Sequence, residues 1–170
     1  MTPPERPWHV PVKRAFLGTD YLDLYLLHWP VSNAHVPEMV AGFERLRAAS
    51  KIRSWGVSNF SVRPQGDRCT TNQAPYSVGD RAIERDLLPW CEQHGMPVMA
   101  YSPLGGPGAR LLRDPTLASI GAARGCSAAA VALAWTIRSG NVIAIPETGS
   151  PAHVKENAVA LSLTLTPQEL

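Results

Sequence analysis

The stretch Tyr21-Leu22-Asp23-Leu24-Tyr25-Leu26-Leu27-His28-Trp29-Pro30 decides how this chain is read. Apolar side chains run almost unbroken from Leu22 to Leu27, the pattern of a strand buried in a parallel sheet. The run then ends in a titratable side chain and turns at Pro30. Strands of α/β enzymes present catalytic groups in this way, at their carboxyl ends. His28 is therefore a candidate functional residue, and anything assisting it from upstream must fit in 27 residues.

Outward from that strand, short apolar runs alternate with helical patterns, the signature of repeated βα units. Met39, Val40, Phe43 and Leu46 predict a helix over Val36 to Ala49. Strands are predicted at Leu22 to His28, Ile52 to Val57, Cys69 to Gln73, Pro97 to Tyr101 and Val142 to Ile145. Between the last four lie predicted helices over Ala82 to His94, stopped at Gly95, and over Pro115 to Arg124 and Ala128 to Ser139. Ser127 is placed to cap the last of these. Pro151 to Leu161 predicts another helix, and Thr166-Pro167-Gln168-Glu169 reads as the capped start of a further one.

Two features are awkward for a complete parallel fold. Only nine residues separate Asn59 from Cys69, with Pro64-Gln65-Gly66 among them, too few for a covering helix. The strand count is five, where a closed βα barrel has eight strands and about 250 residues. The expected fold is thus α/β, a partial (β/α)8 barrel with about five of its eight parallel strands, the amino-terminal ones missing.

Composition narrows the function. The formal net charge is +2 and no basic run is present, which argues against nucleic acid or an anionic membrane as partner. Cys69, Cys91 and Cys126 lack metal-type spacing and read as reduced thiols. His9, His35 and His94 read as surface residues, so a metal-dependent barrel hydrolase using His28 and Glu147 finds no ligand set. Met1 to Pro11 has no apolar signal core, and the expectation is a soluble, cytoplasmic protein of one domain over residues 1–170.

Every predicted strand ends in hydrogen-bonding side chains: His28 and Trp29, Ser58 and Asn59, Asn72 and Gln73, Tyr101 and Ser102, Glu147 and Thr148. Five such ends in succession point to a shared polar pocket. A neutral His28 can donate to a substrate oxygen or move a proton near neutral pH. Asn59 and Gln73 offer both donor and acceptor, as holding a carboxamide requires. Tyr101 offers an aromatic face for a flat ring. Thr148-Gly149-Ser150 before the Pro151 helix, and the loop Leu104-Gly105-Gly106-Pro107-Gly108, offer backbone N–H groups to an anion.

These residues resemble the aldo-keto reductases, NAD(P)H-dependent enzymes on a (β/α)8 barrel. The likeness rests on Leu17 to Pro30, on Lys51-Ile52-Arg53-Ser54-Trp55-Gly56-Val57-Ser58-Asn59-Phe60, on Asn72-Gln73 with Tyr101-Ser102-Pro103-Leu104, and on Ala144-Ile145-Pro146 through Lys155-Glu156-Asn157. It runs from about Val12 to Leu170 and is similar to bacterial members of the family. It implies reduction of an aldehyde or ketone by hydride from NADP(H), with NAD(H) as the alternative. It also implies that His28 polarises the substrate carbonyl. Ser58, Asn59 and Gln73 would hold the nicotinamide carboxamide, with Tyr101 stacked on the ring. Ser102 and Leu104 would contact the diphosphate, and Thr148, Gly149, His153, Glu156 and Asn157 the adenosine end.

The departures carry equal information. The family's Asp, proton-donating Tyr and Lys precede the His, and no residue before His28 matches them: Lys13 lies in the stretch matching a helix, and Tyr21 and Tyr25 lie in or beside the His strand itself. The competing expectation is therefore an inactive remnant that keeps part of the nucleotide pocket. Glu147 stands where many relatives have Lys, and His153 where many have Arg. A carboxylate repels a 2′-phosphate, which points away from a strict preference for NADPH.

Overall fold

In the computed structural model of the chain, residues 17–29, 35–61, 68–106 and 110–170 are described. Five strands form one sheet in sequential order, each parallel to its neighbour: β1 (Leu22–Leu27), β2 (Ile52–Ser58), β3 (Asn72–Pro75), β4 (Val98–Tyr101) and β5 (Val142–Ala144). Helix α1 (Val36–Ala48) follows β1, α2 (Leu87–Gln93) follows β3, α3 (Pro115–Arg124) and α4 (Ala128–Ile137) follow β4, and α5 (Pro151–Ala158) follows β5. This is the expected arc of parallel βα units, with no closure between β5 and β1 among the described residues.

Packing on the helical side joins α1 to β2. Phe43 of α1 stacks on Trp55 of β2 with ring centroids 5.1 Å apart, and Trp55 Nε1 donates to Glu44 Oε1 at 2.9 Å. Trp55 and Val57 face that core, so the alternate residues Gly56 and Ser58 face the concave side. Gly56 must lack a side chain, because a Cβ there would lie 2.6 Å from the Thr71 carbonyl oxygen and 2.8 Å from Leu26 Cδ2. The strands approach too closely for anything larger. Seven of the ten α4 residues are buried, and the helix packs against α3, α5 and β5.

The caps follow the sequence. Ser127 Oγ accepts from the Ala130 N–H at 3.2 Å, as expected. Asp114 Oδ1 accepts from Thr116 and Leu117 at the start of α3, ahead of Pro115. Gly95 and Gly125 end α2 and α3 in the left-handed conformation.

Several boundaries depart from expectation. The predicted Ala82 to His94 helix divides into a 3-10 turn (Ala82–Glu84) and α2. Pro89 is the cause: it lacks an N–H and clashes with the preceding turn, so α2 starts at Leu87 and holds the proline in its first turn. The third strand lies later than predicted, at Asn72–Pro75 rather than Cys69 to Gln73. Pro75 is tolerated because the Tyr76 N–H, not that of residue 75, bonds the Tyr101 carbonyl. The Thr166 helix is a turn over residues 167–169, where Glu169 Oε2 accepts from the Thr166 N–H at 2.8 Å. Strand β1 stops at Leu27, just before His28, and β5 at Ala144. The Pro151 helix ends at Ala158 and tightens into a 3-10 turn (Val159–Leu161).

No helix lies between β2 and β3 among the described residues. Residues 62–67, including Pro64 to Gly66, lie outside the described residues. Beside this gap a groove of about 690 Å³ is lined by Phe60, Ile83, Leu87, Pro89 and Trp90. Cys69 and Cys91 are buried thiols, and burial pushes both up to about 11. No described helix is long and apolar enough alone to cross a membrane.

Candidate active site at the strand ends

Asn59 is the junction of the strand ends. It follows β2 with φ +64, a left-handed backbone that Asn tolerates better than most residues. Its N–H donates to the Gln73 carbonyl at 2.8 Å, which fixes it to the end of β3. Its side-chain Nδ2 donates to the His28 carbonyl at 3.2 Å and to Ser58 Oγ at 3.1 Å. From the far side, the Tyr101 hydroxyl donates to Asn59 Oδ1 at 2.9 Å. One residue thus links the ends of β1, β2, β3 and β4.

The orientation of this amide is fixed chemically. The His28 carbonyl only accepts, so it must face the NH2 end of Asn59. Both Nδ2 hydrogens are then occupied, and Oδ1 keeps one of its two acceptor positions. Ser58 is buried, while Gln73 and Tyr101 are half-buried. Gln73 pairs in register with Ser58 and with Met99, which places all three on the concave face. Asn72, by contrast, faces the helices: it pairs with Val57 and donates from Nδ2 to the Phe60 carbonyl at 2.8 Å. It holds the loop after β2 and is not part of the pocket.

His28 is exposed, with its ring 5.7 Å from that of Trp29. None of the four described tyrosines pairs with it as an acid. Tyr25 packs edge-on against Phe43, and burial raises its phenol. Tyr21 lies under the Arg53 guanidinium at 4.1 Å. Tyr76 is buried and donates to Glu84 at 2.6 Å, and Tyr101 is bonded to Asn59.

Tyr76 belongs to a support beneath the site that sequence reasoning missed. Burial, reinforced by the Glu84 hydrogen bond, pushes its phenol up to about 12. Arg138 donates to both Tyr76 and Glu84 while stacking over Trp135 at 3.6 Å, and Arg81 donates to Glu84 from the other side. The Tyr76 N–H holds the Tyr101 carbonyl at 3.3 Å, so this cluster braces the strand that carries Tyr101. The available signal was a tyrosine directly after a strand-ending proline.

At the other end of the arc, Ser150 caps α5 by accepting from the His153 N–H at 3.5 Å. Thr148 Oγ1 accepts from the Ser150 N–H at 3.1 Å and lies 3.3 Å from His153 Nδ1. Thr148 and His153 are therefore brought together, with exposed Gly149 between Thr148 and the cap. Glu147 is exposed and makes no ion pair with a described residue. Glu156 borders a groove of about 320 Å³ shared with Gly121, Cys126 and Ser127, and Asn157 is half-buried. Ser102 has φ +49, and its carbonyl accepts from the Gly105 N–H at 2.9 Å. Leu104 packs against the clusters around Leu117 and Leu133. Residues 107–109 of that loop lie outside the described residues, as does His9. His35 and His94 are exposed, and no described group of three His, Cys, Asp or Glu side chains converges as a metal site would require.

Residues 12–170 match the model of the aldo/keto reductase family. The chain belongs to that family. It is 49% identical over 165 residues to the methylglyoxal reductase YeaE of Escherichia coli, covering 91% of this chain and 58% of that protein. It is 33% identical to an uncharacterized oxidoreductase of Bacillus subtilis, over 91% of this chain and 55% of the other. Among solved structures, an aldo/keto reductase from Klebsiella pneumoniae in complex with NADP and acetate superposes with TM-score 0.88 and 42% identity, over 94% of this chain and 60% of that one. The chain thus spans less than two thirds of the length of these relatives. The arc of five parallel strands matches their aldo-keto reductase barrel over that part.

Proposed function

We propose that this aldo-keto reductase chain forms the nicotinamide-binding and carbonyl-polarising part of an NADP(H)-dependent reductase of small aldehydes or ketones. The observation that carries the reading is the Asn59 junction, where Ser58, Gln73 and Tyr101 converge beside the strand end that bears His28. The donor set fits a primary carboxamide: Asn59 Oδ1 retains an acceptor position, and Gln73 supplies both a donor and an acceptor. NADP(H), when bound, supplies the hydride.

The chain's own residues have distinct tasks in this reading. Ser58, Asn59 and Gln73 orient the carboxamide, and the Tyr101 ring offers the stacking face. His28 donates from its ring N–H to the substrate oxygen and so polarises the carbonyl. Ser102 and Leu104 line the path of the diphosphate, and Thr148, Gly149, His153, Glu156 and Asn157 receive the adenosine end. The NADP complex of the Klebsiella relative and the methylglyoxal activity named for the Escherichia coli relative support the cofactor and the small-carbonyl class.

A second reading is favoured by the tyrosine inventory. No described Tyr–Lys pair stands beside His28, and a general acid is worth about 10²–10⁴-fold. In this reading the chain is an inactive remnant that keeps part of the nucleotide pocket and binds nucleotide without turnover. The experiment is to mix the purified chain with NADPH and a reactive aldehyde and follow nicotinamide absorbance. Turnover abolished by His28→Ala establishes a working reductase; constant absorbance with retained nucleotide binding establishes the remnant.

A further inference from the structure

Tyr101 carries more than a flat ring. Strand β3 lies between β2 and β4, yet the Tyr101 hydroxyl reaches Asn59 Oδ1 at 2.9 Å across the end of β3. The backbone at both ends of this bridge is held. Tyr101 C=O accepts from the Tyr76 N–H, and Asn59 N–H donates to Gln73 C=O. The residue after Tyr101 and the residue at the far end, Ser102 and Asn59, are two of the three non-glycine residues with positive φ among the described residues. Such conformations persist only where surrounding contacts impose them.

The hydrogen-bond capacities give the bridge a consequence. Nδ2 of Asn59 has no hydrogen left after His28 O and Ser58 Oγ. The Tyr101 hydroxyl takes one of the two acceptor positions on Oδ1. Asn59 can therefore engage a ligand only as an acceptor, through one remaining lone pair. A group with an N–H to give satisfies it, whereas a carboxylate in the same place sets oxygen against oxygen.

We propose that the Tyr101 hydroxyl is a positioning group: it clamps the aromatic ring to Asn59 across β3 and leaves a single acceptor position, so that the cradle selects a flat heterocycle bearing a primary amide and rejects its carboxylate counterpart. The proposal rests on the nucleotide reading above and assigns to the hydroxyl a role separate from stacking. Tyr101→Phe keeps the ring and removes only the clamp.

The test compares three ligands on the wild-type chain and on Tyr101→Phe: NADPH, its deamido analogue with a carboxylate on the ring, and 2′-phospho-ADP-ribose, which lacks the ring. Wild type should prefer NADPH to the deamido analogue by about tenfold or more. In Tyr101→Phe the affinity for NADPH should fall roughly three- to tenfold, the value of one neutral hydrogen bond, while 2′-phospho-ADP-ribose binds as before. Equal loss for both ligands would mean a merely structural hydroxyl and would overturn the proposal. If Tyr101→Phe does not fold, the wild-type comparison decides, and equal binding of NADPH and its deamido analogue overturns the proposal. If wild type binds none of the three, the nucleotide reading fails. The clamp itself is then judged by the Asn59 side-chain amide resonances. Faster rotation in Tyr101→Phe sustains it, and identical spectra refute it.

Discussion

Asn59 Oδ1 and the Tyr101 hydroxyl meet at 2.9 Å over the end of β3, while the NH2 end of the same amide holds the His28 carbonyl at 3.2 Å. Replacing Asn59 by Ala removes three side-chain hydrogen bonds and leaves at φ +64 a residue that tolerates the left-handed region less well than Asn. The expected destabilisation is about 2–4 kcal/mol from the left-handed backbone and the unpaired partners together. Asn59→Gly relieves the backbone part alone and should be milder. Urea unfolding of both variants measures the difference.

Acid should unfold the chain through three carboxylates. Glu44, Glu84 and Glu169 are each held down to about 2. Glu44 owes this first to Arg47 and then to Trp55, and Glu169 to Arg124 and then to the Thr166 N–H. Burial alone would raise Glu84, but the hydrogen bonds from Tyr76, Arg81 and Arg138 together outweigh it. Folded values below the ordinary 4.5 mean that the unfolded chain binds more protons. The stabilisation is complete above about pH 4.5 and is lost as pH falls towards 2. Thermal midpoints across that window should fall, and Glu84→Gln should flatten the fall.

The two ends of the arc should make the isolated chain self-associate. Ile143 on β5 is 50% exposed, and Val154 and Leu161 beyond it are 56% and 82% exposed. Strands β1 and β5 each pair with one neighbour among the described residues. Open edges flanked by apolar side chains template further pairing. Sedimentation velocity should show concentration-dependent association, reduced by Ile143→Lys.

Much of this architecture was legible because it is local. The apolar run before His28, the cap at Ser127 and the stop at Gly95 each depend on a few neighbouring residues. The rule that chemistry gathers at strand ends picked out Ser58, Asn59, Gln73 and Tyr101, and it also picked out Asn72, which faces the helices. Alternation within so short a strand could not say which of Asn72 and Gln73 points inward. The break at Pro89 follows from a local rule, yet the helical spacing around it was stronger. Arg138 reaches Tyr76 and Glu84 from 62 and 54 positions away, and Tyr101 lies 42 positions from Asn59, so only the fold brings them together.

Cofactor preference should respond to position 147. Glu147 is exposed and without an ion pair among the described residues, three positions before the cap of α5. If the 2′-phosphate lies near it, Glu147→Lys should raise NADPH affinity relative to NADH by roughly fivefold, the scale of an exposed charge pair. Raised salt should shrink the ratio. An unchanged ratio places the phosphate elsewhere.

The most direct measurement of the central claim is a calorimetric titration of the wild-type chain with NADPH. A nicotinamide cradle centred on Asn59 predicts saturable binding of one nucleotide per chain, weakened in Asn59→Gly. No heat of binding at millimolar NADPH, from a chain shown to be folded, would contradict it.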